Sequence, residues 1–173
     1  MGRTVLLTGI PAIGKTTIIR KVIAELGDRA GGFYTEELTG PGGRKGFRMV
    51  TLTGETAILA HKDFRGPKVP LVGRYGVDVP ALERVGVRAL QRAVLQGQIV
   101  VIDEIGAMEL YSAAFGQVVM SAIMGPSVVI GTITRDSYPE ANIFKGLAQV
   151  AVWEVDRRNR DTLAEKVLAW LAA

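Results

Sequence analysis

A chain of 173 residues, 48% hydrophobic and 22% charged, has the size and composition of one globular domain and excludes a disordered or collagen-like polymer. It contains no cysteine, which rules out a disulfide framework, a thiolate metal site and a cysteine nucleophile. The net charge of +4 is a small excess that suits an anionic ligand such as a nucleotide and leaves nucleic acid as a secondary candidate.

Thr4 to Thr8 is short, β-branched and apolar, and reads as a buried strand. From Thr16 to Leu26, apolar residues recur at helical spacing: Ile18, Ile19, Val22, Ile23 and Leu26. Between the two stands Gly9-Ile10-Pro11-Ala12-Ile13-Gly14-Lys15-Thr16, which fits G-x-x-x-x-G-K-T, the phosphate-binding P-loop or Walker A motif. The chemistry accounts for the residue types. A loop that wraps a polyphosphate aims several backbone N–H groups at one point, and Gly9 and Gly14 allow the angles and close approach this needs. The helix that follows adds its N-terminal N–H groups and its dipole. Lys15 reaches the β- and γ-phosphates as a point charge, and Thr16 offers a hydroxyl oxygen to Mg²⁺.

Gly27-Asp28 ends the first helix. The run Phe33 to Thr39 reads as a second strand, Gly40-Pro41-Gly42-Gly43 as a turn, and Gly46 to Leu52 as a strand that returns in a hairpin. A short strand follows at Thr56 to Ala60, so this part reads as an antiparallel meander attached to a parallel core. From His61 to Val79 the chain is rich in glycine, proline and basic residues, Lys62, Arg65, Lys68 and Arg74 among them. It reads as a long loop with a short strand around Leu71-Val72. It is either a solvated connection or a cover over the nucleotide. His61, the only histidine, has no ligand cluster beside it and reads as structural or exposed.

Val79-Pro80 opens a helix with an apolar stripe at Leu82, Val85, Ala89, Ala93 and Val94. Next comes Ile99-Val100-Val101-Ile102-Asp103-Glu104-Ile105-Gly106. Four consecutive β-branched aliphatics mark a strand buried on both faces, and an acidic pair at its C-terminal end emerges where open α/β sheets bind ligands. This is the Walker B position of a P-loop protein. Asp103 is the expected second anchor for Mg²⁺, and Glu104 is placed to activate a water against the γ-phosphate. Glu109 is open between contact with substrate or metal and an exposed or capping role.

A helix from Ser112 to Met124 buries Phe115, Val118, Val119, Ala122 and Ile123, and Ser127 to Arg135 is a further core strand with a polar end. Thr132, Thr134 and Arg135 are candidates for a polar sensor, Arg135 either as an arginine finger or as a surface ion pair. Val150 to Val155 is the last core strand and Thr162 to Leu171 the closing helix. In the loop between them, Asn159 and Arg160 are candidate base contacts, set against capping by Asp161. No apolar run nears the ~20 residues of a membrane span, and the first strand leaves no room for a signal peptide. The expected setting is soluble and cytoplasmic, with no protein partner identifiable.

Taken together, the P-loop, Gly32-Phe33-Tyr34-Thr35-Glu36-Glu37, Gly46-Phe47-Arg48, the string Val101 to Leu110 with its D-E-I-G-x-M-E-L pattern, and Asn159-Arg160-Asp161 resemble one family over nearly the full chain. It is the small P-loop nucleoside-triphosphatases of thermophilic prokaryotes, whose animal relative is called cancer-related nucleoside-triphosphatase. The resemblance implies a single domain over 1–173, with a RecA-like, mostly parallel α/β sheet and helices on both faces. It implies Mg²⁺-dependent hydrolysis of ATP, GTP and other nucleoside triphosphates with weak base selectivity. It also implies a nucleotide site built from Gly9 to Thr16 and from Val100, Val101, Ile102, Asp103, Glu104, Ile105, Gly106 and Ala107. Lys15 and Glu104 are the expected catalytic pair, and Thr16 and Asp103 the expected Mg²⁺ ligands. Two other functions fit the motifs: a small phosphotransferase, and a slow nucleotide-set switch acting on RNA or a protein.

Overall fold

Val5, Leu6 and Leu7 are wholly buried, and the reason is their place inside the sheet. The computed structural model describes residues 2–173. Among these residues one sheet contains β1 (Arg3–Thr8), β2 (Ala30–Gly40), β3 (Gly43–Thr51), β4 (Thr56–His61), β5 (Leu71–Val72), β6 (Tyr75–Val77), β7 (Ile99–Ile105), β8 (Val128–Ile133) and β9 (Val150–Glu154). Their order across the sheet is β5-β6-β4-β3-β2-β7-β8-β1-β9. From β2 to β9 all pairings are parallel. From β2 to β5 all are antiparallel. The sheet is thus a parallel core with an antiparallel meander on one side, the mixed α/β architecture anticipated above.

Helices cover both faces. On one, α1 (Lys15–Leu26) and α6 (Leu163–Ala172) enclose a core of Ile18, Ile19, Val22, Val101, Ile130 and Val167. On the other, a continuous helical rod packs with α4 (Ala113–Met124) over Phe33, Met49, Ile102 and Phe115. A shorter helix, α5 (Pro139–Lys145), precedes β9. No helix of the described residues is long and apolar enough to cross a membrane.

Two features depart from the sequence reading. The rod is α-helical at α2 (Val79–Ala81) and α3 (Arg88–Leu95) but π-helical between them, over Leu82–Val87. The wider turn lets Gly86 meet the sheet, where an added Cβ would lie 3.3 Å from both Met49 Sδ and Phe33 Cε1. Within the expected long loop, Tyr75–Val77 is also a strand, paired to β4 and joined to β5 by a tight hairpin. A three-residue strand containing glycine carries no periodic signal. Gly76 is required because the chain passes so close to the Phe64 carbonyl that a Cβ would collide with it.

The meander also carries much of the charge. Residues 44–78 hold Arg44, Lys45, Arg48, Lys62, Arg65, Lys68 and Arg74 against Glu55, Asp63 and Asp78, and Glu37 and Glu36 of β2 pair with Arg44 and Arg48.

Candidate active site

The P-loop leaves β1 at Thr8 and enters α1 at Lys15. Its start is fixed by the chain leaving β9: the Val155 N–H donates to the Thr8 carbonyl at 2.7 Å. A Cβ on Gly9 would sit 2.8 Å from the Val155 carbonyl oxygen, so only glycine lets the two backbones pass. At the far end Gly14 adopts φ 116°, a left-handed angle that opens the helix. The first turn of α1 carries no acidic residue, so the helix N-terminus presents its N–H groups and positive dipole end without a competing carboxylate. Lys15 curls over the loop and donates from Nζ to the Gly9 and Ile10 carbonyls, at 2.9 and 3.2 Å. Ile10, Pro11 and Ala12 are exposed, whereas Ile13 anchors the loop in the core.

Asp103 lies in the C-terminal half of β7 and is 1% exposed. Thr132 of β8 donates to its Oδ1 at 2.6 Å. Thr16 of α1 donates to its Oδ2 at 2.9 Å, and the Thr35 N–H of β2 approaches the same oxygen at 3.4 Å. Burial pushes the Asp103 carboxyl above its ordinary value, and these donors, with the Lys15 charge, pull it back down. The parallel strands make this convergence possible. β7 lies between β2 and β8, so both neighbours bring polar groups to the level of Asp103. The Thr16 hydroxyl and the Asp103 carboxylate form an all-oxygen donor set, which fits a hard cation such as Mg²⁺.

Glu104 follows through a cis peptide. Its carboxyl lies above the ordinary glutamate value because of burial and then the Asp103 charge, with Lys15 opposing and Asp136 adding. A carboxylate moved in this direction is better suited to accept a proton near neutrality.

The remaining residues of the second motif divide in two. Val100, Val101, Ile102 and Ile105 have no exposed surface and belong to the cores on the two faces of the sheet, so they hold the strand rather than line a cavity. Gly106 and Ala107 form the turn beyond it. Glu109 is 5% exposed, so the exposed reading of that residue is corrected: the short 3₁₀ turn Glu109–Tyr111 folds it inward.

Other candidates lie in settled contacts. Asn159 uses both ends of its amide on its own loop, donating to the Glu154 carbonyl at 2.7 Å and accepting from the Asp156 N–H at 2.9 Å. Arg160 is exposed and lies 4.0 Å from Asp161, and α6 begins without a side-chain cap, so Asp161 does not cap it. Arg135 is exposed and makes no ion pair among the described residues, which corrects the surface ion-pair reading. Thr134 accepts from the Asp136 N–H and braces the loop after β8. Of the basic residues in the meander, Arg65 donates to the Phe64 and Arg74 carbonyls, and Arg74 to Tyr75 and the Arg44 carbonyl. Their guanidinium groups hold the β5–β6 hairpin in place. His61 is half-buried and accepts from the Asp63 N–H.

Sequence reasoning assigned no role to Thr35. Its signal was its place in the Gly32 to Glu37 segment, and its approach to Asp103 follows from the adjacency of β2 and β7, which is visible only in three dimensions.

Comparison with known proteins follows the same lines. A family described as NTPase matches residues 4–168. The nucleoside-triphosphatase THEP1 of Thermotoga sp. (strain RQ2) is 41% identical over 167 residues, covering 96% of this chain and 94% of that protein. Among solved structures, the crystal structure of THEP1 from the hyperthermophile Aquifex aeolicus superposes with TM-score 0.88 at 36% identity, over 98% of this chain and 99% of that one. The solution structure of a human cancer-related nucleoside triphosphatase gives TM-score 0.83 at 34% identity, over 98% and 97%.

Proposed function

This chain belongs to the nucleoside-triphosphatase family, and from that premise we propose that it hydrolyses ATP, GTP and other nucleoside triphosphates to the diphosphate and phosphate, with Mg²⁺ and with low base selectivity. The observation that carries the reading is the Asp103 carboxylate. It is buried and bonded to Thr16 of the P-loop on one oxygen and Thr132 on the other, with Glu104 as the next residue. The P-loop, a pair of oxygens suited to a hard cation and a second carboxylate thereby meet at one end of the sheet.

Each group has a role in this scheme. The P-loop N–H groups and the α1 terminus bind the phosphates. Lys15 exchanges its loop carbonyls for phosphate oxygens and offsets their charge. Thr16 and Asp103 would hold Mg²⁺, which when bound neutralises the β- and γ-phosphate oxygens. Glu104 accepts a proton from the water whose oxygen bonds to the γ-phosphorus. The bond from that phosphorus to the β,γ-bridging oxygen breaks, and its electron pair leaves with the diphosphate. Low base selectivity is supported by the P-loop, whose backbone N–H groups are blind to the base, and by the Asn159 amide, which is turned onto the Glu154 carbonyl and the Asp156 N–H.

The test is phosphate release from ATP, GTP, CTP and UTP, with Mg²⁺ or with chelator, for the parent and for Glu104→Gln. Comparable rates on all four, loss with chelator, and a kcat lowered about 10²–10⁴-fold in Glu104→Gln with nucleotide still bound are the expected results. Parent-rate hydrolysis by Glu104→Gln overturns the base assignment. Transfer to an added acceptor faster than phosphate release overturns the hydrolase reading in favour of a phosphotransferase.

A further inference from the structure

Glu109 is buried beside the proposed base and has no task in the scheme above. A methyl group on Gly106 would lie 2.6 Å from Glu104 Oε1 and 3.2 Å from Glu109 Oε2, so an oxygen of each carboxyl group borders the same point beside the Gly106 Cα. No lysine, arginine or histidine of the described residues lies within ion-pair distance of Glu109. Burying a carboxyl is costly, and the Gly106 and Glu109 N–H groups that bond it offset part of that cost and tie it to the turn beside Glu104. The turn that carries it is held firmly. The Leu110 N–H donates to the Gly106 carbonyl at 3.0 Å. Ser112 caps α4 through the Phe115 N–H and donates to Glu83 on the helical rod at 2.8 Å. Glu109 is thus fixed from both ends of its turn, and the Glu104 charge acts on it more strongly than that of Asp103.

We propose that Glu109 is a positioning residue for the hydrolytic step: its carboxyl, set against Glu104 across the bare Cα of Gly106, fixes the direction in which the Glu104 carboxylate meets the attacking water. The inference rests on the reading of Glu104 as the base. Burial and then the Glu104 charge push the Glu109 carboxyl well above its ordinary value, against the bonds from the Glu109 and Gly106 N–H groups, so Glu109 holds a proton that it can donate as a hydrogen bond. Two acids in unequal settings then divide the work, one holding and one accepting.

Two conservative variants test this, with Glu104→Gln as the control. Glu109→Gln keeps the reach and a neutral donor. Glu109→Asp keeps the acid and loses the reach. Steady-state phosphate release from ATP with Mg²⁺ gives kcat and KM, and equilibrium titration gives ATP affinity. The expected result is Glu109→Gln within about threefold of the parent, and Glu109→Asp lower in kcat by about 10–100-fold with KM and ATP affinity unchanged. A merely structural role moves KM, affinity and melting temperature together with kcat, and that pattern overturns the proposal. So does Glu109→Asp at the parent rate, or Glu109→Gln as slow as Glu109→Asp. If Glu104→Gln is slow while Glu109→Asp is not, only the positioning role falls. If Glu104→Gln hydrolyses at the parent rate, the base reading falls and takes this inference with it.

Discussion

The Thr132 hydroxyl donates to Asp103 Oδ1 at 2.6 Å from a side chain with no exposed surface, so a buried carboxylate oxygen depends on a single neighbouring strand. Thr132→Val keeps the shape and removes the donor. We expect a loss of about 1–3 kcal/mol in stability, because the acceptor stays buried without its partner. Urea denaturation of the two proteins measures it directly. A change below about 0.5 kcal/mol would show that water or rearrangement replaces the bond.

Gly106→Ala acts on geometry alone. The new methyl would land 2.6 Å from Glu104 Oε1, which is the far end of a flexible side chain and turns aside at little cost. Stability should change by less than about 1 kcal/mol, whereas kcat should fall on the order of 10²-fold, because the carboxylate is displaced. Thermal melts and phosphate release on the same preparation separate the two effects.

For Glu109 the pH dependence has a definite sign. Its folded-state value lies above the ordinary 4.5, so the folded protein holds this proton more tightly than the unfolded chain does. Below 4.5 both states are protonated and the site contributes no slope. As pH rises through 4.5 toward the raised folded value, only the unfolded chain releases the proton, and folding stability falls. Glu109→Gln has no such proton. The parent should therefore lose stability relative to this variant from about pH 4.5 upward, checked by urea midpoints at several pH values. A constant difference across that range would contradict the shift.

Lys15→Ala removes the one cation that bridges the loop's own carbonyls and the expected phosphate position. Nucleotide affinity should weaken, and kcat/KM should fall by roughly 10²-fold or more, since a donor to developing charge is gone. Titration with ATP and initial rates give both numbers. An unchanged kcat/KM would mean that the amine never leaves Gly9 and Ile10.

Much of this molecule could be read locally. The strand, loop and helix around Gly9 to Thr16 follow from residues that are neighbours in sequence, and so does the doubly buried strand, from Ile99 to Ile102. The D-E-I-G-x-M-E-L string pointed to the family for the same reason. What escaped were relationships between distant segments. Thr35 and Thr132 reach Asp103 only because β2 and β8 flank β7, and no local period encodes which strands are neighbours. The π-helical turn was equally hidden, because Leu82, Val85 and Ala89 satisfy an ordinary helical stripe whether or not the turn widens. Glu109 stayed open between a contact with substrate or metal and an exposed or capping role, since its burial depends on a short turn held by Ser112 and Glu83.

The pairing of β1 has a consequence for how the protein is made. This strand holds the P-loop, yet its only neighbours are β8, beginning at Val128, and β9, beginning at Val150. The floor beneath Gly9 is Val155. A ribosome adding about 5–20 residues per second would leave Val5, Leu6 and Leu7 unpaired for roughly 6–24 s before the first partner appears. The phosphate loop is synthesised well before β8 and β9, the strands that give it its shape. A growing chain cannot draw stability from nucleotide until the second partner strand has docked.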